Sequence, residues 1–162
     1  MKLRSIEIAL PDPAGAAAFM VDIWGLTAAD QRGDTHYLRG TGPFPYLVAF
    51  EKSDDEWVRS TTFVCTPEEL TELKARITAK GWAAKPTTSA DPGDGHGILV
   101  ELPEGTILRF LAGTTEVAPI AGFTKASKRV TPVKLTHVVL NAADAEAAGH
   151  ALADGSNAAQ RG

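Results

Sequence analysis

Residues 5–13, SIEIALPDP, recur in altered form at 60–68, STTFVCTPE, and again at 137–145, HVVLNAADA. In each copy four or five apolar or β-branched residues lead into a breaker (Pro11, Thr66, Ala143) and then into a helical pattern. The chain is therefore built from a repeated strand-to-helix unit. The copies begin with Ser5, Ser60 and His137, and only the last of these side chains is a transition-metal ligand by type.

Working outward from the first copy, residues 3–10 form a nearly continuous apolar run suited to a buried strand. Asp12 caps a helix with Pro13 in its first turn. Ala16, Phe19, Met20, Ile23 and Trp24 give that helix an apolar face, and Gly25 stops it. Strands are predicted at 27–31, 35–39 and 46–51, the last two separated by Gly40, Gly42, Pro43 and Pro45. The second copy repeats the order. A strand over 58–65 ends at Thr66, whose spacing to Glu69 is that of a capping box, and Leu70, Leu73 and Ile77 form the helix stripe up to Gly81. Strands follow at 82–88, 98–102 and 106–112, with a polar loop at 89–97 and a turn at Pro103-Glu104-Gly105. The fold class is α+β: two tandem βαβββ units forming a curved mixed sheet with flanking helices over residues 1–113. A linker over 114–133 leads to an incomplete third unit, a strand and a helix, in 134–162.

Composition bounds the rest. A chain of 162 residues, 44% hydrophobic and 22% charged, suits one well-cored domain plus a remnant. A net charge of −4 speaks against a nucleic-acid partner, and the basic stretch 125–129 reads as solvated linker. The single cysteine, Cys65, falls in a predicted strand, as a buried inert thiol does. No signal-like or membrane-spanning apolar run occurs, so a cytoplasmic protein is expected.

The paired units, together with GHGILVELPEGTILRF at 95–110, resemble the vicinal oxygen chelate superfamily: glyoxalase I, bleomycin-resistance proteins and type I extradiol dioxygenases. YLRGTGPFPYLVAFEKS at 37–53 resembles the first domain of the extradiol dioxygenases, and PVKLTHVVLN at 132–141 the entry into their second. That resemblance implies an Fe(II) centre in a full-length parent and places its first ligand at His137. Iron in such enzymes is held by two histidines and a carboxylate. The strands bearing the other two ligands are expected beyond Gly162, so this chain is expected to be inactive alone, with no cofactor and no assignable catalytic residue.

In single-domain relatives the ligand positions would fall here on Ser5, Ala49, Ser60 and Arg109. These cannot form a metal site, and the Arg109 guanidinium would repel a divalent ion. Among other polar residues, His36, His96 and His150 read as solvated imidazoles. Residues 54–56 read as an acidic connector, and the loop 91–95 lacks the register of a calcium loop. Two further readings stand beside the dioxygenase-derived one. The first is a metal-free binding protein of the bleomycin-resistance type, holding an aromatic small molecule with Trp24, Phe44, Tyr46, Trp82 and Phe110. The second is a homodimerising interaction module, in which residues 134–155 exchange between chains.

Overall fold

The computed structural model describes residues 1–102, 105–121, 131–139 and 146. Its elements run β1 (Lys2–Leu10), α1 (Pro13–Asp22), β2 (Thr27–Arg32), β3 (Thr35–Arg39), β4 (Val48–Lys52), β5 (Trp57–Val64), α2 (Pro67–Ala79), β6 (Ala84–Thr88), β7 (His96–Glu101) and β8 (Ile107–Ala112). This is the βαβββ order twice over. The strands form a single eight-stranded sheet in the order β2-β3-β4-β1-β5-β8-β7-β6. β1 and β5 pair antiparallel at its centre, and each pairs in parallel with the last strand of its own unit, β4 and β8.

Local chemistry explains the helices. The Asp12 carboxylate accepts from Gly15 N at 2.9 Å at the start of α1. At α2, Thr66 and Glu69 exchange both bonds of the capping box, and the Glu69 carboxylate also receives the N-terminal ammonium at 2.6 Å. Gly25 and Gly81, at φ 75° and 76°, end the two helices as expected.

Both helices cover the same face of the sheet. Ile6, Ile8, Leu10, Leu38, Val48 and Phe50 pack with Ala17 of α1, while Phe63, Ile98, Val100, Leu108 and Phe110 pack with Leu70, Leu73 and Ile77 of α2. The opposite face, called the open face below, takes the alternate residues of each strand.

The α1 stripe differs from expectation. Phe19, Ile23 and Trp24 are exposed, and the helix instead turns Pro13, Ala16, Ala17, Met20 and Val21 inward. Small residues let the helix axis lie close to the sheet, which the bulkier stripe would hold off.

The region after β8 differs as well. Residues 114–121 are not a free linker. Thr115 N, Val117 N and Ile120 N donate to the carbonyls of Gly93, Pro43 and Thr41 at 2.8–2.9 Å, and Arg39 Nη2 donates to Ala118 O at 2.9 Å. The chain returns to the same loop farther on, where the carbonyls of Pro132 and Val133 accept from Thr41 N and Gly42 N at 2.8 and 3.1 Å. Gly40 and Gly42 permit this approach, since a Cβ would meet Pro132 O at 2.5 Å and Val133 O at 2.6 Å respectively.

Residues 131–139 are irregular, not the strand expected from 134 onward. An isolated strand gains nothing without a ladder partner, and among the described residues 134–139 find none. Residues 140–141 and the predicted helix, apart from helical Glu146, lie outside the described residues, as do residues 125–129 and His150.

Candidate functional site

A buried ion network fills the open face. Glu7, in the middle of β1, is 5% exposed and holds its carboxylate among hydroxyls. Ser5 Oγ donates to its Oε1 at 2.6 Å and Ser60 Oγ to its Oε2 at 2.7 Å, while Thr62 Oγ1 lies 3.1–3.2 Å from both oxygens. The strands dictate this convergence. Glu7 pairs with Ser60 across β1 and β5, and Ser5 pairs with Thr62, so all four side chains share one face.

Arg109 supplies the opposing charge from β8, where it pairs with Thr62. Its Nη2 lies 2.9 Å from Glu7 Oε1, its Nη1 donates to Asp91 Oδ2 at 2.7 Å, and its Nε donates to Thr62 Oγ1 at 2.9 Å. Asp91 arrives from the loop between β6 and β7. Tyr37 OH donates to its Oδ1 at 2.9 Å, and Ser89 Oγ donates to its Oδ2 at 3.2 Å.

Tyr46 is the hub and is fully buried. Its hydroxyl accepts from Arg4 Nη2 at 2.7 Å and from Arg109 Nη2 at 3.1 Å. Its own proton goes to one of two acceptors, Glu7 Oε1 at 2.9 Å or Asp91 Oδ2 at 3.2 Å. Arg4 enters through a β-bulge between Leu3 and Ser5, which aims it at Tyr46, with the guanidinium carbon 4.7 Å from the ring centroid. Arg4 is 0% exposed, and its Nη1 has no hydrogen-bond partner among the described residues. Two guanidinium groups thus balance two carboxylates on the open face.

The electrostatics follow from burial and pairing. Burial pushes the Tyr46 and Tyr37 hydroxyls far above their ordinary range, reinforced by the charges of Glu7 and Asp91 respectively. For Asp91 burial acts upward, but the Arg109 charge and the bonds from Arg109, Tyr37 and Tyr46 outweigh it and hold the carboxyl below its usual value. For Arg109 burial acts downward, and Glu7, Tyr46 and Asp91 overcome it to raise the group further.

The consequence for stability has a definite sign. A carboxyl depressed in the folded state contributes stability above its unfolded pKa of about 3.9, and this is lost as pH falls through the folded value. Urea midpoints measured from pH 6 downward should fall below about pH 4, and Asp91→Asn should flatten that fall. An unchanged profile in the variant would show that Asp91 is not held in this way.

The sequence-derived positions can now be placed. Ser5, Ser60 and Arg109 do converge, and Ala49 lies beside them, opposite Glu7 in the β1–β4 register and packed with Tyr37 and Tyr46. They do not fit a divalent ion, because the two nearby carboxylates already clasp a guanidinium between them. Among the described residues no group of three or more His, Cys, Asp or Glu is arranged to hold a metal. His137 is exposed, its Nδ1 2.9 Å from Thr136 Oγ1. His36 lies on the helix side, lining a groove against α1, and His96 is exposed near Gly113. Residues 54–56 are exposed between β4 and β5. Burial raises the Cys65 thiol, as suits an inert group.

The aromatic platform does not assemble. Phe44 belongs to the α1 core and Phe110 and Trp82 to the α2 core, while Trp24 points to solvent; only Tyr46 reaches the open face. Glu7, Asp91 and Arg4, with Tyr37, Thr62 and Ser89 around them, are the residues sequence reasoning missed. The available signal was a pair of opposite charges, Arg4 and Glu7, flanking Ser5 and Ile6 in a central strand whose other residues after Lys2 are apolar.

Solved structures share this architecture. A Mn(II)-bound glyoxalase from Novosphingobium aromaticivorans superposes with TM-score 0.68 at 20% identity, over 76% of this chain and 42% of that one. Homoprotocatechuate 2,3-dioxygenase from Brevibacterium fuscum, in complex with 3,4-dihydroxyphenylacetate, gives 0.66 at 23% identity over 74% and 38%. The Arthrobacter globiformis enzyme of the same name gives 0.66 at 22% over 74% and 38%. The chain has the vicinal oxygen chelate fold. It spans about two fifths of the length of these structures, covering 38–42% of them. No protein-family profile and no curated protein matches the sequence. On this sheet Ser5, Ser60 and Arg109, three of the positions that resemblance assigned to metal ligands, belong to a salt-bridged network. No helix among the described residues is long and apolar enough to cross a membrane.

Proposed function

We propose that residues 1–113 are a non-catalytic vicinal oxygen chelate domain of an extradiol-dioxygenase-like protein. In that reading, Fe(II) chemistry belongs to a second domain whose first ligand is His137. The observation that carries it is the Arg109 guanidinium, 2.9 Å from Glu7 and 2.7 Å from Asp91, standing where single-domain relatives would need an anionic ligand. A metal entering here would have to displace a paired cation and leave it buried, which is strongly unfavourable. Similarity to dioxygenases that bind a catechol-type acid in one solved complex supports the assignment of the parent's chemistry.

The test is elemental analysis of this chain after incubation with Fe(II), Mn(II) or Zn(II) and dialysis, together with a catechol assay under added Fe(II). Substoichiometric metal and no yellow ring-fission product are expected. A tightly held metal ion in each chain, lost on Glu7→Gln substitution, would overturn the reading.

A further inference from the structure

Asp91 is held as a ligand would be. Its two oxygens lie within hydrogen-bond distance of Arg109 Nη1 (2.7 Å), Tyr37 OH (2.9 Å), Tyr46 OH (3.2 Å) and Ser89 Oγ (3.2 Å). Arg109 and Tyr37 sit on separate strands, β8 and β3, and Tyr46 on the approach to β4, while the carboxylate comes from a loop. The loop reaches inward by an unusual path, with Gly93, Asp94 and Gly95 at φ 89°, 46° and 115°. Its neck is closed by Ser89 N donating to Gly95 O at 2.8 Å.

Beside it lies a cavity of about 290 Å³ whose lining includes Asp91, Arg109, Arg59, Thr87, Leu99 and Ile107. A buried guanidinium flanked by phenol hydroxyls is complementary to carboxylates generally, not to Asp91 alone. The cavity is near the lower end of ligand-pocket volumes, about 300 Å³. Its volume and its mixed lining of hydroxyl, aliphatic and arginine side chains suit a small molecule with one charged group.

We propose that Arg109, Tyr37 and Tyr46 form a binding site for a small organic carboxylate, and that the loop over residues 89–95 is a plug whose Asp91 occupies it. A free carboxylate entering from the cavity takes the same donors when Asp91 withdraws, with charge balance preserved. The site is independent of the non-catalytic reading, since it requires neither the presence nor the absence of metal.

Formate is the probe, with chloride setting constant ionic strength. In Asp91→Ala the donors are vacated, so formate should raise the thermal midpoint by several degrees where chloride does not. Wild-type protein should bind formate at least ~10-fold more weakly, because the tethered carboxylate competes at high effective concentration. The double variant Asp91→Ala/Arg109→Met, which removes one charge of each sign, should lose the response. Should Asp91→Ala fail to fold in buffer, Asp91→Ser with refolding yield scored against formate and chloride gives the same comparison. Equal effects of formate and chloride, or a formate response that survives loss of Arg109, would overturn the proposal.

Discussion

Arg109→Met is expected to cost about 3–5 kcal/mol of folding stability, because it leaves Glu7 and Asp91 buried with a single remaining cation, Arg4. The side chain is 15% exposed, so solvent offers little relief to the abandoned carboxylates. The loss has two parts that can be separated. Asp91 can recover some hydration by moving outward with its loop, its side chain being 20% exposed already, whereas the Glu7 side chain, 7% exposed, is fixed on the central strand. Adding Glu7→Gln to Arg109→Met should therefore recover more stability than adding Asp91→Asn. Urea unfolding of the four proteins closes the comparison. A single variant within about 1 kcal/mol of wild type would mean that the guanidinium is not the counter-ion of this network.

How this network escaped the sequence is instructive. The repeat, the capping box at Thr66 and Glu69, and the glycine stops at 25 and 81 are local devices whose partners lie within a few residues, and the structure shows each of them. The strand order follows from them, since two βαβββ units closing on each other leave β1 and β5 at the centre. The ion network is different in kind. Arg109 meets Glu7 only because β1, β5 and β8 lie side by side, and Asp91 joins through a loop with no periodicity to read. Arg109 was legible as an obstacle to metal binding, but its partners were not.

The two misread segments have separate causes. In α1 two apolar stripes compete, and hydrophobicity favours Phe19, Ile23 and Trp24, while close packing on the sheet favours the alanines. Across 134–139 the side-chain pattern is that of a strand, yet a strand is a property of a pair, and no ladder partner is described for it. Just before the segment, the carbonyls of Pro132 and Val133 bond to Thr41 N and Gly42 N. These fix where the chain passes over the loop that precedes β4.

Gly97→Ala is the other substitution expected to act strongly. Gly97 lies on β7 opposite Leu111 of β8, at an ordinary strand φ, so the objection to a side chain is space and not backbone conformation. A Cβ there would overlap the Phe110 carbonyl oxygen and crowd the backbone of Leu111, and neither can swing aside as a flexible side chain could. The strands must part or shift. An overpacking cost toward the upper end of about 1–3 kcal/mol is expected, measured by urea unfolding. Because β8 also carries Arg109, the displacement should reach the open face: the acid limb of the stability profile set by Asp91 should steepen less in this variant than in wild type. Gly81→Ala serves as the control, since its positive φ strains an alanine without touching β8 or the network. If Gly97→Ala lowers stability no more than Gly81→Ala and keeps the wild-type acid profile, the close seam between β7 and β8 does not position Arg109.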